Sequence, residues 1–494
     1  MGLRGALGRR RWLQLAAATA VVAFDPLRRR WVAAAEAREA NGSAEACWHR
    51  VPRLDGELVL DEAALSEAGD DFGHIVHAIP RAVLRPGSER DVQRMIGFAN
   101  REGLTLSMRG QGHSTHGQSQ AEAGIVIDSR SLASIEVVSA EAAVVGPGAR
   151  WVDVLAAALE QGLTPPVLTD FIELSVGGTL SGGGIGGATQ QHGLQVNNVL
   201  ELEVITGQGA RVTCSPRRHA ALFRAVLGGL GQLGVIVRAT LALVPAPAQV
   251  RVYQLFYTSL PVFLADQRLA VASGRFDYLE GQALPQPGGS IQFMLEAAAY
   301  YTPPETPDDA SLLAGFTPLA GSTVIEEHGY FDWANRLAPL IAELRATGAF
   351  DLPHPWFDVF LPDGGADAYL ADVFANLVPE DVGGPILLYP FRRVAALGTL
   401  VALPRTELVF LFDLLRFAAP DPAGVARLVA ENRTLFEGAR ALGGKRYPIG
   451  SIPFSAADWA EHFGDSFPAL AALKARHDPN NVLTPGQGIF PRAP

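Results

Sequence analysis

The chain has 494 residues, 48% of them hydrophobic, which is enough to bury more than one core and predicts two or three domains. A formal net charge of −11 sets it against phosphate backbones and excludes nucleic acid as a partner. With only two cysteines, a disulfide framework and a cysteine zinc cluster are excluded as well.

The N-terminus carries Arg9-Arg10-Arg11 ahead of the apolar run Leu13–Phe24, too short for a membrane span of about 20 residues. It reads as a secretory signal of the twin-arginine kind, with Arg28-Arg29-Arg30 as further targeting charge, Ala33–Ala35 as the best cleavage site, and an uncleaved amphipathic tail as the alternative. Export without stable membrane insertion is the expectation. Cys47 and Cys214 read as two isolated thiols, with a single bridge as the alternative.

From about Ile79 to Val244, short β-branched runs alternate with helical patterns. Ser88–Glu102 is predicted as a helix, with Ser88 as N-cap, Asp91 in the first turn and Val92, Met95, Ile96 and Ala99 on one face. Leu104–Met108, Gly124–Asp128, Ala143–Val145, Val199–Thr206 and Val235–Leu243 are predicted strands, and Val152–Gln161 a helix closed by Gly162. Pro245-Ala246-Pro247 cannot continue a central strand and marks a boundary near 247. Residues 248–440 read as a separate α+β unit with strands such as Val252–Tyr257 and Ile386–Tyr389 and a helix Trp333–Ala346. The stretch Tyr447–Phe490 is rich in aromatic residues, Gly and Pro.

Three glycine-rich constellations carry the chemistry. In Arg109-Gly110-Gln111-Gly112-His113-Ser114-Thr115-His116-Gly117-Gln118, successive peptide N–H groups form a nest suited to a pyrophosphate, but no helix with Rossmann spacing follows. By itself His113 could equally be a surface-loop histidine or half of a His113/His116 metal pair. Leu168-Thr169-Asp170-Phe171 runs into the glycine-dense Ser175–Gly186, where the entropic cost of glycine points to a close backbone approach to a ligand. Asp170 could accept a hydrogen bond or proton from substrate, or cap a turn. Leu227-Gly228-Gly229-Leu230-Gly231-Gln232-Leu233-Gly234-Val235-Ile236 is the third, and alone could be only a tight turn.

The order of these pieces resembles the vanillyl-alcohol oxidase / p-cresol methylhydroxylase (PCMH-type) superfamily of FAD enzymes. Val83–Ser88, Asp277-Tyr278-Leu279-Glu280-Gly281, His354-Pro355-Trp356, Gly384–Pro390 and Pro485-Gly486-Gln487-Gly488-Ile489-Phe490 make it similar to the cytokinin dehydrogenases, over roughly residues 70–490. The resemblance implies an α+β fold: an export signal and linker (1–45), a two-part FAD-binding domain (46–247), a substrate-binding cap domain (248–440) and a C-terminal segment (441–494) that completes the FAD domain. It implies a covalent bond from His113 to the flavin 8α-methyl carbon, and Asp170 as the carboxylate that bonds the substrate amine. Glu280 would lie near the substrate entrance. Arg109, Gly110, Gln111, Gly112, Ser114, Gly117, Gln118, Thr179, Gly182, Ile236, Tyr447 and Gln487 would surround the cofactor. No cysteine stands near Leu174–Gly178, so the flavin is expected to be singly linked. Gln111, His116 and the extra glycines Gly183, Gly184 and Gly187 depart from the plant pattern and bear on the substrate rather than the cofactor. The implied reaction oxidises an N6-isoprenoid adenine to adenine and an unsaturated aldehyde, with oxygen or a quinone as acceptor. A flavin oxidase of an alcohol or sugar, and a non-catalytic flavin-binding protein, are the alternatives.

Overall fold

The computed structural model describes residues 21–33, 36, 49–396 and 398–492. Arg9–Arg11, Cys47 and most of the apolar run therefore lie outside the described residues. Val21–Asp25 is a strand that pairs antiparallel with Arg30–Ala33, and Phe24 and Trp31 pack on Phe98. Arg28, read as targeting charge, sits in the turn of this hairpin and pairs with Asp25 at 2.9 Å. Cys214 is fully buried, and burial pushes its thiol up to about 12.

The first unit begins with a four-stranded sheet in the order Glu57–Val59, Ala82–Arg85, Ile125–Asp128, Leu106–Arg109. The helix Glu89–Glu102 makes the crossover between parallel strands, burying Val92, Met95, Ile96 and Ala99 and ending at Gly103 in the left-handed region (φ 63°). Ser88 has the extended N-cap backbone, but its hydroxyl donates to Asp55. Asp91 is buried instead and accepts the N–H groups of Asp55, Gly56 and Gly87. A five-stranded antiparallel sheet follows, ordered Arg211–Cys214, Val199–Thr206, Gly234–Ala242, Ala142–Val145, Ile135–Ser139. Most predicted elements lie within two residues of the observed ones.

In the glycine-dense stretch after Asp170, Val176–Gly182 forms a short helix that ends at Gly183 and Gly184, which have positive φ. One local prediction is corrected. The predicted helix Trp333–Ala346 is two helices, Tyr330–Ala334 and Ala338–Thr347. Pro339 lacks an N–H and its ring clashes with the carbonyl of residue 335, so a continuous helix cannot form there.

An eight-stranded antiparallel sheet begins at Gln249–Tyr257 and ends with Lys445–Arg446, beyond residue 440. Its central strands are Tyr278–Pro285, Ile386–Arg392, Leu408–Leu414 and Phe357–Pro362. Side chains alternate across them. Leu279, Leu388, Phe412 and Val359 face the helices of the second unit, while Tyr278, Tyr389, Leu411 and Phe360 share a core with Val176, Leu180 and Tyr447. One face of this sheet therefore closes over the first unit.

The C-terminal helices Ala456–Phe463 and Phe467–His477 return the chain to the first sheet, where Leu106 bonds to Val482 and Thr484. The return is pinned by the buried pair Lys474–Asp478 at 2.7 Å, with Asp478 also accepting the N–H groups of Val482 and Leu483. Asp478→Ala leaves Lys474 buried without its counter-charge and should cost about 3–5 kcal/mol, read as a shift in the urea unfolding midpoint. A loss below about 1 kcal/mol would show that Lys474 reaches water.

Candidate active site

Phe171 and Asp170 are neighbours on one loop, and they serve opposite sides of the site. The Phe171 ring lies 4.9 Å from His113, whose imidazole stacks on Phe72 at 4.0 Å. Phe72 in turn stacks on His354 at 3.8 Å, and Trp356 closes the cluster edge-on. Burial pushes His113 down to about 3, so its ring is neutral, and it makes no hydrogen bond among the described residues. A nucleophilic nitrogen is thus left available. A cavity of about 280 Å³ opens beside it, lined by Arg109, Gln111, Gly112, Phe171, Arg345 and Phe350 among others.

The loop that holds His113 is anchored on both sides. Asp71 accepts from Ser114 Oγ (3.0 Å) and the Gly117 N–H (2.7 Å). Gln118 donates to the carbonyls of Ile449 and Gly450. Ser114, Gly117 and Gln118 therefore shape the loop. Gly110 could carry no side chain, since a Cβ there would fall 1.9 Å from Ser175 Oγ. Arg109 is buried and donates to the Asp70 carbonyl. Thr179 accepts from the Trp151 indole, and Ile236 is a core residue of the adjacent sheet. Gly182 lies on the short helix, where a Cβ would come within 3.7 Å of Ile449, and Tyr447 is buried and accepts the Gly184 N–H at 3.3 Å. Gly486 packs on the carbonyls of Gly117, Gln118 and Gln120, which brings Gln487 to the same loop. Gln487 Oε1 is buried with no donor among the described residues. A neutral unbonded His113, a glycine-rich loop and an orphaned amide oxygen behind it fit a flavin at this place.

On the other side of Phe171, Asp170 is the hub of a buried polar cluster. Its Oδ1 accepts from Tyr278 OH at 2.6 Å and Arg336 Nη2 at 2.7 Å, and its Oδ2 accepts from Tyr389 OH. It is no turn cap. Glu280 accepts from Gln282 at 2.8 Å through Oε1, and its Oε2 meets the same Tyr278 hydroxyl. Burial first, and the Asp170 charge second, push Glu280 up to about 8. Burial likewise raises Glu296, 3.7 Å from Arg336. Tyr278 has a single hydroxyl proton for two carboxyl groups. With a proton on Glu280, which burial favours, the Tyr278 hydroxyl is free to donate to Asp170.

Arg336, Tyr278, Tyr389 and Glu296 do not follow from the sequence motifs as site residues. Arg336 lies in the break between the two helices that replace Trp333–Ala346, with its guanidinium 4.2 Å over the Trp333 ring. The available signals are Pro339, which demands such a break, and Tyr278 at two residues from Glu280, on the same face of a strand.

Comparison with known proteins gives the same picture. The family model described as "FAD binding domain" matches residues 80–215, and that described as "Cytokinin dehydrogenase 1, FAD and cytokinin binding" matches residues 282–490. Cytokinin dehydrogenase 8 of Oryza sativa subsp. indica is 38% identical over 501 residues, covering 88% of this chain and 93% of that protein. An uncharacterized oxidoreductase, ORF5 in the fasciation locus of Rhodococcoides fascians, is 39% identical over 435 residues, covering 88% and 99%. The crystal structure of 6-hydroxy-D-nicotine oxidase from Arthrobacter nicotinovorans superposes with a TM-score of 0.68 at 21% identity, over 87% of this chain and 96% of that one, and so shares the fold. With an FAD-binding domain, a second domain closed over it and relatives aligned along most of its length, the chain belongs to the cytokinin dehydrogenase family of FAD-dependent oxidoreductases.

Proposed function

We propose that the chain oxidises the secondary amine of N6-isoprenoid adenines, with FAD bonded covalently through His113 and Asp170 as the group that polarises the amine. The observation that carries this reading is the Asp170 carboxylate. An ionised carboxylate offers about four lone-pair sites. Tyr278, Arg336 and Tyr389 occupy three of them. The fourth, on Oδ2, is left for a substrate N–H. The match of residues 282–490 to a cytokinin-binding family model supports the substrate class.

Bound FAD supplies the hydride acceptor. Asp170 accepts the hydrogen bond of the N6–H and raises electron density on nitrogen as the C–H bond of the neighbouring carbon breaks. Loss of the hydride leaves an iminium, its N–H proton passes to Asp170 to give the imine, and water then divides it into adenine and an unsaturated aldehyde. Arg336 balances the Asp170 charge, while the chain from Glu280 through Tyr278 holds the carboxylate in place. His113, kept neutral by burial and clamped between Phe72 and Phe171, presents the ring nitrogen for the covalent link. The arginine run ahead of residue 13 supports export by a twin-arginine route as part of the same proposal.

Asp170→Asn keeps the shape but loses the charge-assisted bond, so kcat and kcat/KM should fall together by on the order of 10²-fold with little change in KM. Stopped-flow reduction of the flavin by isopentenyladenine checks it, and equal rates in the two proteins would sink the role. His113→Ala should release all flavin on acid precipitation, whereas the wild-type protein should pellet yellow; flavin fully extracted from wild type would end the covalent assignment. Glu280 has the sign of a group held protonated. Its folded value of about 8 exceeds the 4.5 of a free glutamate, so its contribution to stability is present below 4.5 and lost as pH rises to about 8. Activity that depends on its O–H should decline through the same upper limit. Glu280→Gln keeps a donor without the titration and should flatten the alkaline limb of the kcat/KM profile; an unchanged limb would remove Glu280 from the relay.

A further inference from the structure

The same face of the eight-stranded sheet that bears Tyr278, Glu280 and Tyr389 carries a second acidic group. Asp358 and Asp413 stand directly opposite each other on paired antiparallel strands, and Leu387 is the other neighbour of Asp413. Their strand neighbours Phe357, Val359, Phe412 and Leu414 all point into the core of the second unit. By alternation the two carboxyls point the other way, toward the first unit. They are 1% and 5% exposed. Asp358 Oδ1, Asp358 Oδ2 and Asp413 Oδ1 have no hydrogen-bond donor among the described residues.

The nearest cation does not satisfy them. Arg446 donates through Nη2 to the Gly450 carbonyl at 2.8 Å and lays its guanidinium over Phe454 and Trp459. Each buried acceptor left without a donor costs about 1–3 kcal/mol. A fold with no use for these carboxyls would do better with apolar side chains there. The cost is understandable where a ligand brings the missing donor.

Position identifies the ligand. Tyr389, which donates to Asp170, lies one strand over from Asp413 and two residues along, a separation of about 8 Å between Cα atoms at ordinary strand spacing and rise. Glu280 lies on the strand beyond, on the opposite flank of Tyr389. Asp170 thus stands between Glu280 on one side and the Asp358–Asp413 pair on the other. A substrate whose nitrogen meets Asp170 has its adenine on one side and its side chain on the other, and the pair lies on one of those two sides.

We propose that Asp358 and Asp413 form a specificity subsite that binds a hydroxyl at the far end of the isoprenoid side chain, so that the enzyme selects hydroxylated N6-isoprenoid adenines over unhydroxylated ones. This rests on the cytokinin reading above. The chemistry is complementary. Burial raises both carboxyls, and the charge of Asp358 raises Asp413 further, so that a proton on one beside an ionised partner is favoured. The pair then offers one ionised acceptor and one O–H donor, and a hydroxyl is both donor and acceptor. An apolar chain end satisfies neither.

The test measures flavin reduction in the holoenzyme by isopentenyladenine and by its terminally hydroxylated counterpart, in wild type, Asp413→Leu and Asp358→Asn. Wild type should favour the hydroxylated substrate by at least about tenfold in kcat/KM, as expected where a buried polar site is left unpaired by the wrong substrate. Both variants should bring the ratio to about one, with rates on isopentenyladenine kept or raised. Asp413→Leu, which replaces an unsatisfied acceptor by an apolar group, should also raise the thermal midpoint. A wild-type ratio near one, a ratio unchanged in the variants, or equal losses on both substrates together with a lowered midpoint would each overturn the subsite. Failure of wild type to be reduced by either compound would instead overturn the cytokinin reading itself.

Discussion

A carboxylate taken out of water must be given donors, and the burial of Asp170 imposes that demand on the whole molecule. The effective penalty is several kcal/mol per ion unless good geometry and hydrogen bonds offset it. Asp170 lies on a loop of the first unit, yet the donors it receives come from Tyr278 and Tyr389 on the eight-stranded sheet and from Arg336 in the turn beside it. The cluster therefore exists only when the two units are closed on one another. Closing them buries Glu280 and Glu296 alongside a charge of their own sign, which raises both. One proton kept on Glu280 lets a single tyrosine hydroxyl serve two acids, so the electrostatics of the site follow from its burial.

The same closure organises the cofactor side. The loop bearing His113 has few side chains with which to hold itself, because its glycines let the backbone pass close to Ser175 and Arg109. It borrows rigidity from elsewhere: from Asp71 on one flank and from residues 449–451 on the other, where Thr115 donates to the Ile449 carbonyl and Ser451 to Thr115. The C-terminal segment thus fixes the loop that presents the imidazole, and the Lys474–Asp478 pair keeps that segment in place. Burial makes His113 neutral and leaves the stacked ring of Phe72 and the tilted ring of Phe171 to set its orientation.

The eight-stranded sheet ties these functions together by period-two alternation. One set of side chains builds an apolar core with the helices behind it. The other set, one residue out of step, supplies the hydroxyls and carboxyls that face the first unit. A one-residue slip of any central strand would exchange the two sets, which is why the apolar face specifies the register of the polar one.

The sequence alone determined the local facts: the helix Glu89–Glu102 from its apolar spacing, most strands of residues 79–244 from their β-branched runs, and the glycine loop around His113 from backbone freedom that only glycine provides. It also marked Asp170 and Glu280, through motifs shared with a family of flavin enzymes. It did not show what surrounds them. Arg336 reaches Asp170 because Pro339 splits a helix that the apolar pattern alone would continue. Ser114 and Gln118, expected beside the cofactor, are also bonded to Asp71 and to the chain near Gly450, hundreds of residues away in the case of Gln118, which the motif does not show. Periodicity reports which face of an element is apolar, because that preference is written in neighbouring residues. Which polar atom meets which is decided by contacts between distant segments, and for this protein only the closed tertiary structure brings Asp170, Tyr278, Tyr389 and Arg336 within hydrogen-bonding distance.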